Sequence, residues 1–404
     1  MGAPVGPCTC RLPYAATVDM LAPMSGPQSA TPARNGFVGF IRSEYALFIG
    51  LATAALFLST GNRLVGNLAN PLLLGVIFVW LFGVILWSAI SVVRHADNLA
   101  LKCGEPYGTL ILTLAAISIE VMMISTAMLH GANNPTLARD MMFAVVMIAL
   151  NGVVGLSLLL GGLRHREQSY NLKGTNAYLN TIMVLAVLGL VFPNFTISPS
   201  GSNLSQVQEI FLSICSFGLY GIFLVIQTMR HSQYFIESEA TTAATHQAHE
   251  ILEVHSALYH TVLLFLYLIA VILLAEKFAI PLDESIERFG MPQAFAGAIV
   301  AALVLAPEAF SAIQAAVNNH LQRSVNILHG SVLASIGLTI PAVLTIGLVT
   351  HRQVSLGLEG GNLPLLVLTL GVSIVTFASG KTSVLQGCIH LLLFAVFLLL
   401  IFCP

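Results

Sequence analysis

Thr109-Leu-Ile-Leu-Thr-Leu-Ala-Ala-Ile-Ser-Ile-Glu120 and Ala301-Ala-Leu-Val-Leu-Ala-Pro-Glu308 decide the fold. Each is an apolar run that ends on a carboxylate and then continues apolar. An ionisable group near the bilayer centre costs at least ~2.5–3.5 kcal/mol on insertion scales, so its presence there points to function. Glu120 and Glu308 are the only two carboxylates set deep inside apolar spans, and each lies in the second span of what reads as one half of a duplicated chain. A matched pair, one per half, points to an ion site at a pseudo-symmetric midplane.

The rest of the composition agrees. Of 404 residues, 56% are hydrophobic and 8% are charged. Soluble domains carry roughly 25% charged residues, so this chain cannot cover a water-exposed surface. It is expected to be an all-α polytopic membrane protein surrounded by lipid. A formal net charge of −2 argues against a nucleic-acid partner. No organic cofactor is expected. Cys8-Thr-Cys10 has no second cysteine pair, so no zinc site is expected there. Residues 1–43 are rich in Pro, Ala, Gly and Ser, with no continuous apolar core, and read as a disordered tail rather than a signal peptide.

An apolar stretch of about 20 residues spans the hydrocarbon as a helix. Eleven are expected, at 44–61, 71–93, 107–130, 138–163, 176–197, 206–229, 258–276, 291–315, 326–350, 363–379 and 385–403. Ser379-Gly-Lys381 must then turn the chain tightly between the last two. With the N-terminus inside, eleven of the 16 basic residues fall on the inner side. The positive-inside bias therefore puts the N-terminus in the cytoplasm and the C-terminus outside.

Asn134-Pro-Thr-Leu137-Ala-Arg139 follows the Glu120 span, and Asn318-Asn-His-Leu321-Gln-Arg323 follows the Glu308 span. Both read N-x-x-L-x-R. At equal distance beyond each arginine, a polar residue enters the next span: Asn151 and Ser335. One extra helix at 44–61, followed by five-span repeats at 71–230 and 258–403, is expected. An odd number of spans per repeat inverts the second copy, a recurring transporter design with binding at the midplane.

Oxygen donors surround each glutamate. Upstream of Glu120 the helix face carries Thr109, Thr113 and Ala116. Pro307 frees the carbonyl of Leu303, and Pro341 frees that of Gly337. Asn151 offers an amide carbonyl. Ser331, Ser335 and Thr339 recur at i, i+4 and i+8. Oxygens of this kind suit hard cations. Two anionic carboxylates in low dielectric repel and are poorly solvated, so the ion-free pair takes up protons. Proton and cation then compete for the same oxygens, and alternating exposure of that site produces exchange. Glu120 and Glu308 are the expected metal ligands.

Three other readings are open at this stage. The glutamates could serve only helix packing. A cation channel could use the same acidic residues. An intramembrane enzyme could use His329-Gly330-Ser331, but no G-x-S-x-G elbow is present, and helix neighbours at i and i+2 face apart. Residues 231–257 hold His246, His249, Glu250 and Glu253, each like pair at helical spacing. They read as a solvated cytoplasmic linker, or more sharply as a pH or metal sensor.

In Gly104-Glu-Pro-Tyr-Gly-Thr-Leu-Ile-Leu-Thr113 running to Ile117-Ser-Ile-Glu120, in Ala306-Pro-Glu308-Ala-Phe-Ser-Ala312, in Leu321-Gln-Arg-Ser-Val-Asn326 leading to Gly330–Pro341, and in Arg230-His-Ser-Gln-Tyr-Phe235, the chain resembles the calcium/cation antiporter superfamily. Within it, the resemblance is to bacterial ChaA-type sodium(calcium)/proton antiporters and covers about residues 40–403. It implies an eleven-helix fold with inverted repeats, location in a bacterial inner membrane, and cation/proton exchange at the two glutamates. Vacuolar-type calcium exchangers carry G-N-x-x-E in both repeats. Here the Gly and Asn positions are Ala116 and Ile117, and Val304 and Leu305. The carboxylates match and the asparagines do not, which leaves room for Na⁺ or K⁺ beside Ca²⁺.

Overall fold

The computed structural model describes residues 40, 43–65, 70–103, 107–130, 135–196, 204–236 and 256–403. From Glu44 onward they form one compact unit. Its eleven helices among the described residues are α1 Tyr45–Val65, α2 Pro71–Cys103, α3 Tyr107–His130, α4 Leu137–His165, α5 Leu172–Phe195 and α6 Gln206–Arg230, then α7 Ala257–Phe289, α8 Ala294–Val317, α9 Leu321–Thr350, α10 Asn362–Thr376 and α11 Val384–Phe402. Eight of them are long and apolar enough to cross a membrane, while α10 is a shorter apolar helix. Large apolar side chains such as Leu72, Val79, Phe211, Phe217, Phe265 and Leu392 point outward. A soluble protein would not leave so much apolar surface uncovered.

Helix starts follow local chemistry. The two N-x-x-L-x-R segments mark a helix start at the same position, because Leu137 opens α4 and Leu321 opens α9. Ser205 and Ser383 stand just before α6 and α11. Their backbone N–H groups donate to Gln208 at 2.8 Å and Gln386 at 2.9 Å, satisfying donors that a helix start leaves orphaned. The same S-x-x-Q signal thus opens corresponding helices of the two halves.

Two expectations on boundaries need correction. The seventh helix does not stop near residue 276 but runs on to Phe289. Nothing in Lys277–Phe289 breaks it: Pro281 is absorbed, and Gly290 ends the helix in the left-handed conformation at φ +61°. Lys277 and Arg288 therefore lie on a helical extension, not a loop. Likewise α2 continues past residue 93 to Cys103. Apolar runs report the hydrocarbon segment, whereas the helix persists until something stops it.

The helices pack reciprocally across the halves. The α2–α7 pair joins the first helix of each, α3 packs on α9 as α4 packs on α8, and α6 packs on α9 as α11 packs on α4. The loops gather into two sets at opposite ends. At one end Gln168–Ser169 pairs antiparallel with Lys381–Thr382, the Gln168 amide donates to the Ala316 carbonyl at 2.8 Å, and Asn171 N donates to Gln322 at 2.6 Å. Gly380, at φ +74°, makes the tight turn before α11. At the other end Ser355 N donates to the Pro135 carbonyl at 2.9 Å, Leu358 N to that of Leu190 at 2.8 Å, and Arg139 to that of Gly357 at 2.9 Å. Loops assigned to the same side from the basic residues meet each other here.

The extra helix α1 is tied to this core by a buried polar cluster. Glu44, 2% exposed, accepts from Arg94 at 2.7 Å, Tyr259 at 3.0 Å and Tyr267 at 3.0 Å, and lies 3.2 Å from His95 Nε2. His95 Nδ1 in turn meets His260 Nδ1 at 3.0 Å. Such a carboxylate is tolerated inside because both of its oxygens find donors and a guanidinium pairs its charge.

Candidate functional site

Helix α9 organises the centre. Ser331, Ser335 and Thr339 are all buried, and their spacing aligns the three hydroxyls on one face. Ser331 donates to Glu308 of α8, Ser335 donates to Glu120 of α3, and Thr339 donates to the other oxygen of Glu120 at 3.1 Å. Ser331 and Ser335 stand one turn apart, about 5–6 Å between Cβ atoms. Their two carboxylate partners are thus gathered beside a single helix face. Glu120 is 3% exposed and Glu308 6%. Among the described residues neither carboxylate has a basic side chain within ion-pair distance.

Two uncompensated carboxylates with three hydroxyls make an all-oxygen donor set. It fits a hard cation, and in the cation's absence it fits protons. Among the described residues no group of three or more His, Cys, Asp or Glu is placed to hold a metal ion.

Pro307 and Pro341 sit inside unbroken α8 and α9, one turn after Leu303 and Gly337. Gly337 also has a packing reason: a Cβ there would lie 3.0 Å from Tyr220 Cβ of α6. Thr113 lies on α3 together with Glu120, but its side chain lies outside the described ones. His246, His249, Glu250 and Glu253 lie outside the described residues altogether.

Asn151 takes a place that the sequence reading did not supply. It lies in a π-helical segment, Met147–Val153, within α4. Such wide turns recur at functional sites because they free backbone groups and re-aim side chains. This segment packs against α8, α9, α10 and α11 at once. The Asn151 amide donates to Thr369 at 2.8 Å, its carbonyl meets His390 Nδ1 at 3.1 Å, and His390 Nε2 meets Thr376 at 3.0 Å. Apart from a 3.5 Å approach to Met147 Sδ of its own helix, its hydrogen bonds go to α10 and α11, whereas that of its counterpart Ser335 goes to a glutamate. Thr369, Thr376 and His390 were not singled out from the sequence. A polar residue inside an apolar span was the available signal.

The pairing of His329 and Ser331 needed for nucleophilic chemistry is not formed. Ser331 gives its hydroxyl to Glu308, and His329 Nδ1 bonds the Val325 carbonyl at 3.0 Å.

The family model for the sodium/calcium exchanger protein matches this chain twice, over residues 73–229 and 260–403. The chain belongs to that family. The sodium-potassium/proton antiporter ChaA of Escherichia coli K12 is 38% identical over 380 residues, covering 94% of this chain and 100% of that protein. The ionic transporter y4hA of Sinorhizobium fredii is 45% identical over 321 residues, covering 79% and 86%. Among solved structures, the Ca²⁺/H⁺ antiporter YfkE superimposes with a TM-score of 0.68 at 21% identity, over 89% of this chain and 99% of that one. That likeness carries the fold.

Proposed function

We propose that this family member exchanges Na⁺, K⁺ or Ca²⁺ for protons by alternating access, with Glu120 and Glu308 as the shared cation and proton site. The observation that carries the reading is the α9 hydroxyl face, which bonds carboxylates from both halves of the chain. A bound cation replaces the protons on the two carboxylates, and Ser331, Ser335 and Thr339 turn hydroxyl oxygens toward it. The carbonyls of Leu303 and Gly337, together with Asn151 and Thr113, are further candidate donors. Two carboxylates neutralise one Ca²⁺ or accept two protons, and the same oxygens accept monovalent ions.

Residues 71–230 and 258–403 act in this reading as inverted repeats rocking about the site, with 44–61 as the extra helix, 1–43 as a cytoplasmic tail and 231–257 as a cytoplasmic linker in a bacterial inner membrane. The 38% identity to an antiporter named for sodium, potassium and protons supports transport of monovalent ions. So does the absence of the asparagine positions found in vacuolar calcium exchangers. The test is proton flux in reconstituted vesicles with Na⁺, K⁺ and Ca²⁺ compared side by side. Counterflow of protons driven by a cation gradient supports exchange. Cation current with no proton movement would replace the reading with a channel.

The linker acts as a modulator in the same reading. Protonation of His246 and His249 changes the charge of the segment beside Glu250 and Glu253. Alanine at all four positions is expected to shift the flux-against-pH curve without abolishing exchange. Superimposable curves would leave the segment a passive connector.

A further inference from the structure

The buried group formed by Asn151, His390, Thr369 and Thr376 lies outside the glutamate–hydroxyl centre. We infer that His390 is a positioning residue for cation exchange, holding the Asn151 amide in one orientation at the point where the two halves meet. The inference rests on the reading that Asn151 serves the cation site.

The hydrogen bonds have one consistent direction. An amide carbonyl can only accept, so His390 Nδ1–H donates to Asn151 Oδ1 across 3.1 Å. In the neutral ring Nε2 is then an acceptor, and the Thr376 hydroxyl donates to it across 3.0 Å. On the far side the Asn151 Nδ2–H donates to Thr369 across 2.8 Å. The Thr369 hydroxyl approaches Met147 Sδ at 3.7 Å. The amide is thus gripped at both ends, and its plane is fixed.

Both Asn151 and His390 are 0% exposed. No water competes for these bonds, and a free amide rotor here would leave buried polar atoms unpaired. Thr369 and His390 grip the amide from α10 and α11, while Asn151 belongs to α4 and its amide also approaches Met147 Sδ of its own helix at 3.5 Å. The π segment that carries Asn151 also packs on α8, which bears Glu308, and on α9, which bears Ser331 and Ser335. His390 uses one lone-pair direction of Asn151 Oδ1, and in the reading on which this inference rests the second is the cation's. A group that orients a ligand in this way typically changes metal affinity about 10–100-fold when removed.

The test uses the full-length protein in vesicles, with the rate of proton flux read against Na⁺, K⁺ and Ca²⁺ concentration. His390→Leu should raise the apparent KM for the transported cation about 10-fold or more, with a smaller change in maximal rate. His390→Gln retains an N–H for Asn151 and an acceptor for Thr376, and it should recover much of the lost affinity. Thr369→Val, close to isosteric, releases the other end of the amide and should also raise KM, so it decides the matter if His390→Leu does not fold. A role confined to packing would lower the yield of folded protein and leave KM of the folded fraction unchanged. Unchanged KM in His390→Leu, or in Thr369→Val where the former does not fold, overturns the inference. Glu308→Gln is assayed in parallel. Persistent coupled exchange in that variant would remove the underlying site reading, whereas its inactivity beside an unchanged KM removes only the role of His390.

Discussion

Glu308→Gln and Glu120→Gln should each reduce cation-driven proton flux to that of protein-free vesicles, while the protein remains folded and extractable. Glutamine preserves the shape and one carbonyl oxygen of each side chain, so Ser331 and Ser335 keep an acceptor. What is lost is the charge that a cation requires and the site that a proton occupies. Neither carboxylate has a basic partner among the described residues, so neutralising it strands no buried cation. The usual cost of breaking a buried ion pair, about 3–5 kcal/mol, is therefore absent, and loss of flux reports on function. The check is flux together with a thermal melt in detergent. Wild-type coupled flux from either folded variant would contradict the shared-site account.

Gly387→Val should strongly damage assembly. Helices α4 and α11 cross with their backbones in contact: a Cβ at Gly387 would stand 2.6 Å from Leu159 N and 2.8 Å from the Gly155 carbonyl. Backbone cannot swing aside as a flexible side chain can. Relief requires moving α11 off α4, and His390 lies within one turn of Gly387. Small residues allow this close approach in membranes, where packing rather than water release drives helix association. Over-packing usually costs about 1–3 kcal/mol, and contact with backbone puts this site at or above the top of that range. The expected result is little folded protein by size-exclusion chromatography. Gly371→Val provides the control, because a Cβ at Gly371 meets nothing within 4 Å. Equal yields of the two variants would show that the crossing relaxes easily.

Much of the architecture was legible because lipid imposes a simple rule. An apolar run long enough to span the membrane must be a helix, since no water is present to satisfy an open backbone. Among the described residues the eleven runs fall on eleven helices, eight of them long and apolar enough to cross a membrane. Where the rule stops, so did legibility. Lys277–Phe289 stays helical outside the apolar run because no residue terminates it before Gly290. The π turn at Met147–Val153 is a choice between hydrogen-bond registers that apolar periodicity does not encode. The paired S-x-x-Q starts at Ser205 and Ser383 were readable as capping signals and would have strengthened the case for a repeat.

The site divides along the same line. Glu120 and Glu308 stood out because charge is costly at membrane depth. The alignment of Ser331, Ser335 and Thr339 followed from helical spacing alone. That α9 would carry partners for both glutamates depends on how α3 and α8 pack against it, which is tertiary information. Asn151 was recognisable as an unusual residue, but the partners that hold it from α10 and α11 lie more than 200 positions away.

The central claim is that protons and cations occupy the same two carboxylates. Purified protein in weakly buffered detergent, titrated with Na⁺, K⁺ or Ca²⁺ while proton release is followed with a pH indicator, tests it most directly. The account predicts saturable proton release from the wild type on addition of the transported cation, and none from the variant carrying both Glu120→Gln and Glu308→Gln. Saturable cation binding to the wild type without proton release, or equal release from the double variant, would contradict it.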